Sequence, residues 1–201
     1  PSIDLAKRAV SCRPSVLNFN PFERYPGSGT VFDLDRGYLI VMFHPNTREY
    51  GDAYRQTEEL IKAVWQIGEP AFWFLPNADA GSDAVGKVIR VARNEDRVAG
   101  VRFQTNMEPE DFLKLLINSK CLIGNSSAGI RECSYLGVPA VNVGTRQQGR
   151  ERGPNVTDVG YDAGEIYQAF KDLPRFVGKC TLYGDGAAGI RIAELLATID
   201  L

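Results

Sequence analysis

The sequence predicts an α/β fold, a Rossmann-like parallel sheet with helices on both faces. Three observations carry that prediction. Continuous apolar runs such as YLIVMF and AFWFL are the mark of strands covered on both sides. Stretches with apolar residues at helical spacing alternate with these runs. The connections are polar, and strands alternating with helices imply parallel pairing.

Taken in order, Pro1 to Arg36 is broken by Pro14, Pro21, Pro26, Gly27 and Gly29. It reads as an irregular lead-in or linker, which leaves residues 37–201 as the Rossmann-like domain. Tyr38 to Phe43 is the first strand, followed by the polar loop HPNTREYGD. Ala53 to Ile67 places Leu60, Ile61, Val64 and Trp65 at helical spacing, and Gly68 is set to end that helix. Ala71 to Leu75 is the second strand, and a helix from Asp83 to Arg93 follows with Ser82 as its cap. Val98 to Phe103 is the third strand, leading to a helix from Glu110 to Asn118. Cys121 to Gly124 is the fourth, followed by a Ser/Gly turn (Asn125 to Gly129) and a brief helix. Ala140 to Val143 is the fifth and Asn155 to Val159 a candidate sixth. Helices from Asp162 to Phe170 and from Ala187 to Ile199 complete the chain.

Composition sets the bounds. A chain of 201 residues is a soft prior for one domain and buries roughly 70% of its unfolded surface. With 23 basic against 25 acidic residues, no global field points to nucleic acid or to an anionic membrane. No apolar run approaches membrane-spanning length and no signal peptide is present, so a cytoplasmic protein is expected. Four cysteines without a CxxC pair and a single histidine argue against a Cys/His zinc site, and no metal or cofactor is read from the sequence. Cys121 and Cys133 look like small buried apolar residues in a reducing compartment. The sequons at Asn125 and Asn155 then read as chance matches. A start at Pro1 rather than at methionine leads to the expectation of a fragment or domain of a longer protein.

His44, Asn77, Asn106, Asn125-Ser126-Ser127 and Arg146 all fall just past the carboxyl end of a predicted strand. In open parallel sheets those ends form one crevice, where ligands bind. The stretch Gly124 to Gly153 is the densest part. Its strand-turn-helix unit presents unpaired N–H groups and the positive end of a helix dipole, which suits a phosphate. Ser126 and Ser127 add hydroxyl donors, and Gly129 admits a ligand close to the backbone. Glu132, in the first turn of the helix, can bind sugar hydroxyls, and Arg146 can supply a fixed charge to a diphosphate or carbonyl. The plain alternative is that the serines cap the helix and Glu132 closes a capping box. Two such loops side by side, one hydroxyl-rich and one arginine-rich, favour a nucleotide or sugar-phosphate site.

His44 is the only imidazole, suited to a phosphate contact or to proton transfer, or else a satisfied structural residue. Within the crevice the sequence offers His44 and one carboxylate, Glu132, and so no acid/base pair to face both sides of a sugar. Gly184 to Gly189 matches GxGxxG but opens the last helix with no following strand, and reads as a tight turn setting that helix's angle.

His44-Pro45, FLPNADAGS, GNSSAGIRE, GVPAVNVGTRQQGRERG and YGDGAAGIRI together resemble the hydrolysing UDP-N-acetylglucosamine 2-epimerases of sialic acid biosynthesis. The similarity runs from about Pro1 to the C-terminus. Non-hydrolysing relatives carry a His-Arg-Arg run after the first strand and a Thr-Glu-Arg-Pro loop after the fifth. This chain has His-Pro-Asn-Thr and Gly-Thr-Arg-Gln-Gln-Gly-Arg there. The resemblance implies the C-terminal, UDP-binding half of a two-domain GT-B-like fold. Its partners would be UDP-GlcNAc or UDP, the N-terminal domain of the same protein, and further copies in a homo-oligomer. It assigns Ser126 and Ser127 to the diphosphate, Glu132 to the ribose and Arg146 to the uracil side. It places His44 and Asn77 in the nucleotide pocket, and Asn106 where relatives often have a histidine. The reaction implied is elimination of UDP to a glycal, then hydration to N-acetylmannosamine. The proton-moving carboxylates would lie in the N-terminal domain, so the chain alone is expected to be inactive. An epimerase for another UDP-amino sugar, half of a UDP-sugar glycosyltransferase and a non-catalytic nucleotide-binding module are the alternatives.

Overall fold

Seven strands form one sheet: β1 (Gly27–Gly29), β2 (Leu39–Met42), β3 (Ala71–Phe74), β4 (Val101–Gln104), β5 (Cys121–Gly124), β6 (Ala140–Val143) and β7 (Val156–Val159). They are seen in a computed structural model that describes residues 2–11, 17–76, 80–174 and 178–199. The spatial order is β1-β4-β3-β2-β5-β6-β7, with every pair parallel except the antiparallel edge strand β1. The α/β expectation is met, and all six predicted strands are present within a few residues of their expected bounds.

Helices cover both faces: α1 (Ser2–Ser11), α2 (Pro21–Arg24), α3 (Ala53–Ile67), α4 (Ser82–Asn94), α5 (Pro109–Ile117), α6 (Glu132–Leu136), α7 (Ala163–Lys171) and α8 (Ala188–Ala197). Alternation along β2 divides the core. Leu39, Val41 and Phe43 face α3, α4 and α7, whereas Tyr38 and Ile40 face Leu115, Leu116 and Cys133 of α5 and α6. Because the central strands are covered on both sides, they read as unbroken apolar runs. Gly68 ends α3 in the left-handed conformation, its N–H donating to the Val64 carbonyl. Trp65 of α3, counted among the apolar positions of that helix, is exposed rather than buried. Gly81, not Ser82, is the N-cap of α4, whereas Asp162 caps α7 by accepting from the Glu165 N–H at 3.0 Å.

The expectation of an irregular segment is corrected where helix α1 stands, over residues 2–11. Ile3, Ala6 and Ala9 of α1 are buried against Leu113 and Tyr135, forming a small third core. The prolines that suggested irregularity lie outside this helix, and Pro21 occupies the first turn of α2, where it needs no N–H partner. The glycines of β1 pair with β4 residues Arg102 to Gln104. A Cβ on Gly27 would lie 2.5 Å from the Phe103 carbonyl oxygen, so the edge strand has room for glycine alone there. The GxGxxG stretch bends at Gly186 beside Ile3 and Lys7 of α1 and runs into the last helix. It delivers the chain to α8, whose first N–H groups, from Ala188 and Gly189, donate to the Asp4 carboxylate at 3.3 and 2.6 Å. Ile190, Ile192, Leu195 and Leu196 of α8 are exposed.

The chain leaves β2 in one direction through β3 and β4, then returns to place β5 on the other side of β2. That reversal opens a crevice between the carboxyl ends of β2 and β5. Gly124 closes β5 against β2 with φ +139°, and a Cβ there would lie 2.1 Å from the Met42 carbonyl oxygen. Gly124→Ala is therefore expected to cost at least about 2 kcal/mol in urea unfolding, the scale of a strained backbone position that cannot relax. Gly86→Ala, in the body of α4 with nothing within 4 Å of the added carbon, should instead stabilise by about 0.5–1 kcal/mol.

Candidate functional site

The loops after β2, β5 and β6 meet over the crevice. Asn125, fully buried, continues the β2–β5 pairing by one step. Its N–H donates to the Met42 carbonyl at 3.0 Å. Its side-chain amide spans the gap, accepting from the His44 N–H at 2.8 Å and donating to the His44 carbonyl at 2.7 Å. His44 is thereby buried beside the crevice with its backbone fixed. From the loop after β6, Arg146 Nη1 and Gln147 Nε2 donate to the Asn125 carbonyl at 3.2 and 2.8 Å. Both sequon asparagines, Asn125 and Asn155, are buried, so neither side chain is presented for modification.

The serine turn is a 3-10 turn (Ser127–Gly129) followed by the five-residue α6, not a long helix. The helix-dipole argument is correspondingly weaker than the sequence suggested. The backbone argument is stronger. The turn's own hydrogen bonds come from the N–H groups of Ala128, Gly129, Ile130 and Arg131, which leaves the N–H groups of Ser126 and Ser127 outside them. Ser126 does cap the turn, its Oγ accepting from Ala128 at 3.3 Å.

Two cavities adjoin this turn and share Ser127. One, of about 570 Å³, is polar and lined by Arg48, Arg146, Arg150, Glu49 and Gln147. The other, of about 230 Å³, has an apolar wall from Leu5, Pro109 and Phe112, with Ser126, Arg131 and Glu132 opposite. Glu132 closes no capping box. Its Oε1 lies 3.4 Å from the Arg131 guanidinium, and its buried Oε2 has no partner. A buried carboxylate oxygen without a donor is costly unless a ligand supplies one.

The structure thus brings Ser126, Ser127, Glu132 and Arg146 to the two cavities, while His44 is buried beside Asn125 and lines neither. Asn106 is exposed and lines neither cavity. Asn77 lies outside the described residues.

Sequence reasoning missed a second carboxylate. Glu49 lines the polar cavity and accepts from the Thr145 hydroxyl, from Tyr161 OH at 2.9 Å and from Gln56 Nε2 at 3.0 Å. These hydrogen bonds, that from Thr145 foremost, hold its carboxyl below the ordinary range against the opposing effect of burial. Asn46 also donates to Thr145 Oγ1 at 3.0 Å. The loop after β2 is therefore braced against the loop after β6 and against Tyr161, which follows β7. Glu49 is a fastened anion, not a free base. The signal available in the sequence was its place in a loop past a strand end.

The family model for UDP-N-acetylglucosamine 2-epimerase matches residues 19–197. The chain is 34% identical over 172 residues to a UDP-N-acetylglucosamine 2-epimerase of Neisseria meningitidis, covering 85% of this chain and 42% of that protein. It is 31% identical over 173 residues to a hydrolysing UDP-N,N'-diacetylbacillosamine 2-epimerase of Legionella pneumophila, covering 85% and 45%. The chain thus spans less than half the length of these two relatives. Among solved structures, a UDP-GlcNAc 2-epimerase of Neisseria meningitidis bound to UDP-GlcNAc superposes with a TM-score of 0.68 at 14% identity. That match covers 98% of this chain and 53% of the other. The shared architecture is the GT-B-like, Rossmann-type fold.

The Glu49 junction makes a prediction with a definite sign. A carboxylate whose folded pKa lies below its unfolded value stabilises the fold above the unfolded pKa and loses that contribution as pH falls through the folded one. Glu49→Gln should lower stability by about 1 kcal/mol at neutral pH, the scale of a hydrogen-bonding group partly open to solvent. The difference from the unsubstituted chain should shrink steadily below about pH 4. Urea unfolding of both proteins from pH 7 into acid checks this.

Proposed function

The chain belongs to the UDP-N-acetylglucosamine 2-epimerase family, and on that premise we propose that it is the C-terminal, UDP-holding half of a hydrolysing UDP-GlcNAc 2-epimerase. One observation supports the reading above the rest: Ser127 stands between a polar, arginine-lined cavity and a smaller one lined by Glu132, whose buried Oε2 has no partner. A nucleoside diphosphate laid across that junction meets each wall with matching chemistry. Its diphosphate lies on the free N–H groups and hydroxyls of Ser126 and Ser127. The ribose diol donates to Glu132, and the base lies against Phe112. The sugar-bearing end then extends into the polar cavity, where Arg146 faces the diphosphate. Arg146 is placed here rather than on the uracil side because it and Glu132 line different cavities, whereas ribose and base are adjacent in the nucleotide. His44 lies below the diphosphate, and Asn106 has no contact in this pose. Asn77 follows β3 in the sequence and is kept as a residue of the nucleotide pocket on resemblance alone.

In the reaction a base removes the proton on sugar C2 while the C1–O bond breaks, its electron pair leaving with UDP. A glycal with a C1–C2 double bond remains. Water then adds its hydroxyl to C1 and a proton enters at C2 from the opposite face, giving N-acetylmannosamine. What this chain supplies is stabilisation of charge on the departing diphosphate, from the serine turn and Arg146. Among the described residues of the crevice no second free carboxylate is offered for the proton transfers, since Glu49 already accepts three hydrogen bonds and Glu132 is committed to ribose. Those groups are assigned to an N-terminal domain of the same protein. The free, buried thiols of Cys121 and Cys133 support a reducing, cytoplasmic setting. The name of the Legionella relative favours one alternative, a UDP-linked diacetamido sugar as substrate.

Three measurements test this. Arg146→Ala should weaken UDP binding in calorimetry by about 1.5–3 kcal/mol, the scale of a charged hydrogen bond, and equal affinity for UDP, ADP and GDP would count against the reading. Changing Ser126 and Ser127 together to Ala should weaken UDP and leave uridine nearly unaffected, while Glu132→Gln should weaken both. Equal loss of both ligands in the serine double variant would reduce the serines to caps. Finally, the chain incubated with UDP-GlcNAc or its diacetamido counterpart should release no UDP by NMR, and a protein extended before Pro1 should release it with one of the two. Turnover by the chain alone would move the catalytic groups into this half.

A further inference from the structure

We infer that Asn125 is a positioning residue, a single side chain that sets the spacing of the three loops forming the nucleotide crevice. The inference rests on the reading of that crevice as the UDP site. Strand pairing between β2 and β5 ends at Met42 and Gly124, and the two chains must part there to open the crevice. Asn125 substitutes its side-chain amide for the backbone of a partner strand, matching the His44 N–H and carbonyl at once, at 2.8 and 2.7 Å. No other side-chain type offers a donor and an acceptor at that short reach. Aspartate has the shape but no donor, and serine reaches less far.

The same residue fixes the opposite wall. Its backbone carbonyl accepts from Arg146 and Gln147, and Gln147 is itself buried. One guanidinium donor of Arg146 is thereby used for orientation, and the others remain for an anion in the polar cavity. Asn125 also leads directly into Ser126 and Ser127. A shift of this one residue therefore moves His44, the serine turn and Arg146 relative to one another, although Asn125 is fully buried and lines neither cavity.

The chain's single histidine makes the test clean, because its imidazole Cε1–H gives one assignable NMR signal. In the unsubstituted chain the His44 amide should exchange with solvent at least 100-fold more slowly than that of exposed Thr47, and UDP should displace the imidazole signal. In Asn125→Ala the imidazole signal should be displaced already without ligand, and the UDP dissociation constant should rise at least tenfold. Asn125→Asp, which keeps the shape and the acceptor, should weaken UDP in the same direction. Thr57→Val removes an equally buried hydrogen bond inside α3 and should leave the UDP constant within twofold. Failure of the unsubstituted chain to bind UDP overturns the reading of the crevice and this role with it. UDP binding by the unsubstituted chain that both Asn125 variants leave within twofold overturns the positioning role alone. Should neither variant fold, an unprotected His44 amide in the folded unsubstituted chain overturns it without them.

Discussion

Everything in this domain depends on β2 and β5 lying side by side at the point where the sheet reverses its order. Two parallel strands whose connections run to opposite sides must leave a gap above their carboxyl ends, and no helix can fill it. At Gly124 the approach is close enough to exclude a Cβ. The gap is therefore narrow at its floor and widens only where the loops diverge. A narrow floor lets short polar side chains reach across it, and a widening mouth gives room for a ligand larger than they are.

Two kinds of polar bracing keep that mouth in shape, and they differ in exposure. The Asn125 amide works in full burial, where an unmade hydrogen bond is expensive and the geometry is correspondingly strict. The Glu49 junction lies nearer to solvent, carries charge and fastens Thr145 and Tyr161 to the loop after β2. Any Cβ on Gly144 would strike the ring of Tyr161, so this junction too depends on a missing side chain. The inner brace sets distance and the outer one sets orientation. Between them stand Arg48, Arg146 and Arg150 of the polar cavity, for which no ion pair is seen among the described residues, with the charge of Glu49 also on its lining.

The strands were legible because burial on both faces writes them as unbroken apolar runs, and the long helices because their spacing is periodic. The crevice was legible because polar residues recur at strand ends. What escaped had no local cause. Helix α1 presents a thin face of Ile3, Ala6 and Ala9, too little to outweigh the prolines and glycines downstream. β1 is a run of Gly-Ser-Gly whose extended form comes from pairing with β4 more than seventy residues away. Trp65 satisfies the helical spacing and still faces solvent, since spacing tells which residues share a side but not whether anything covers it. The braces are harder still. Asn125 meets His44 and Glu49 meets Thr145 across separations of 81 and 96 residues, and nothing at either end announces the other.

The Asp4 contact has a consequence for how the molecule breathes. Its carboxylate holds the first N–H groups of α8 from a position 184 residues earlier in the chain, while α8 itself has no buried residue. Beyond that contact, α8 has little packing to hold it in place. Helix α8 is thus the region expected to open first, as a local excursion far below the free energy of global unfolding. Helix α1, by contrast, packs on α5 and α6, the elements that carry Phe112 and Glu132. Helices α1 and α8 are joined through Asp4, and the residue after it, Leu5, contributes to the apolar wall of the smaller cavity.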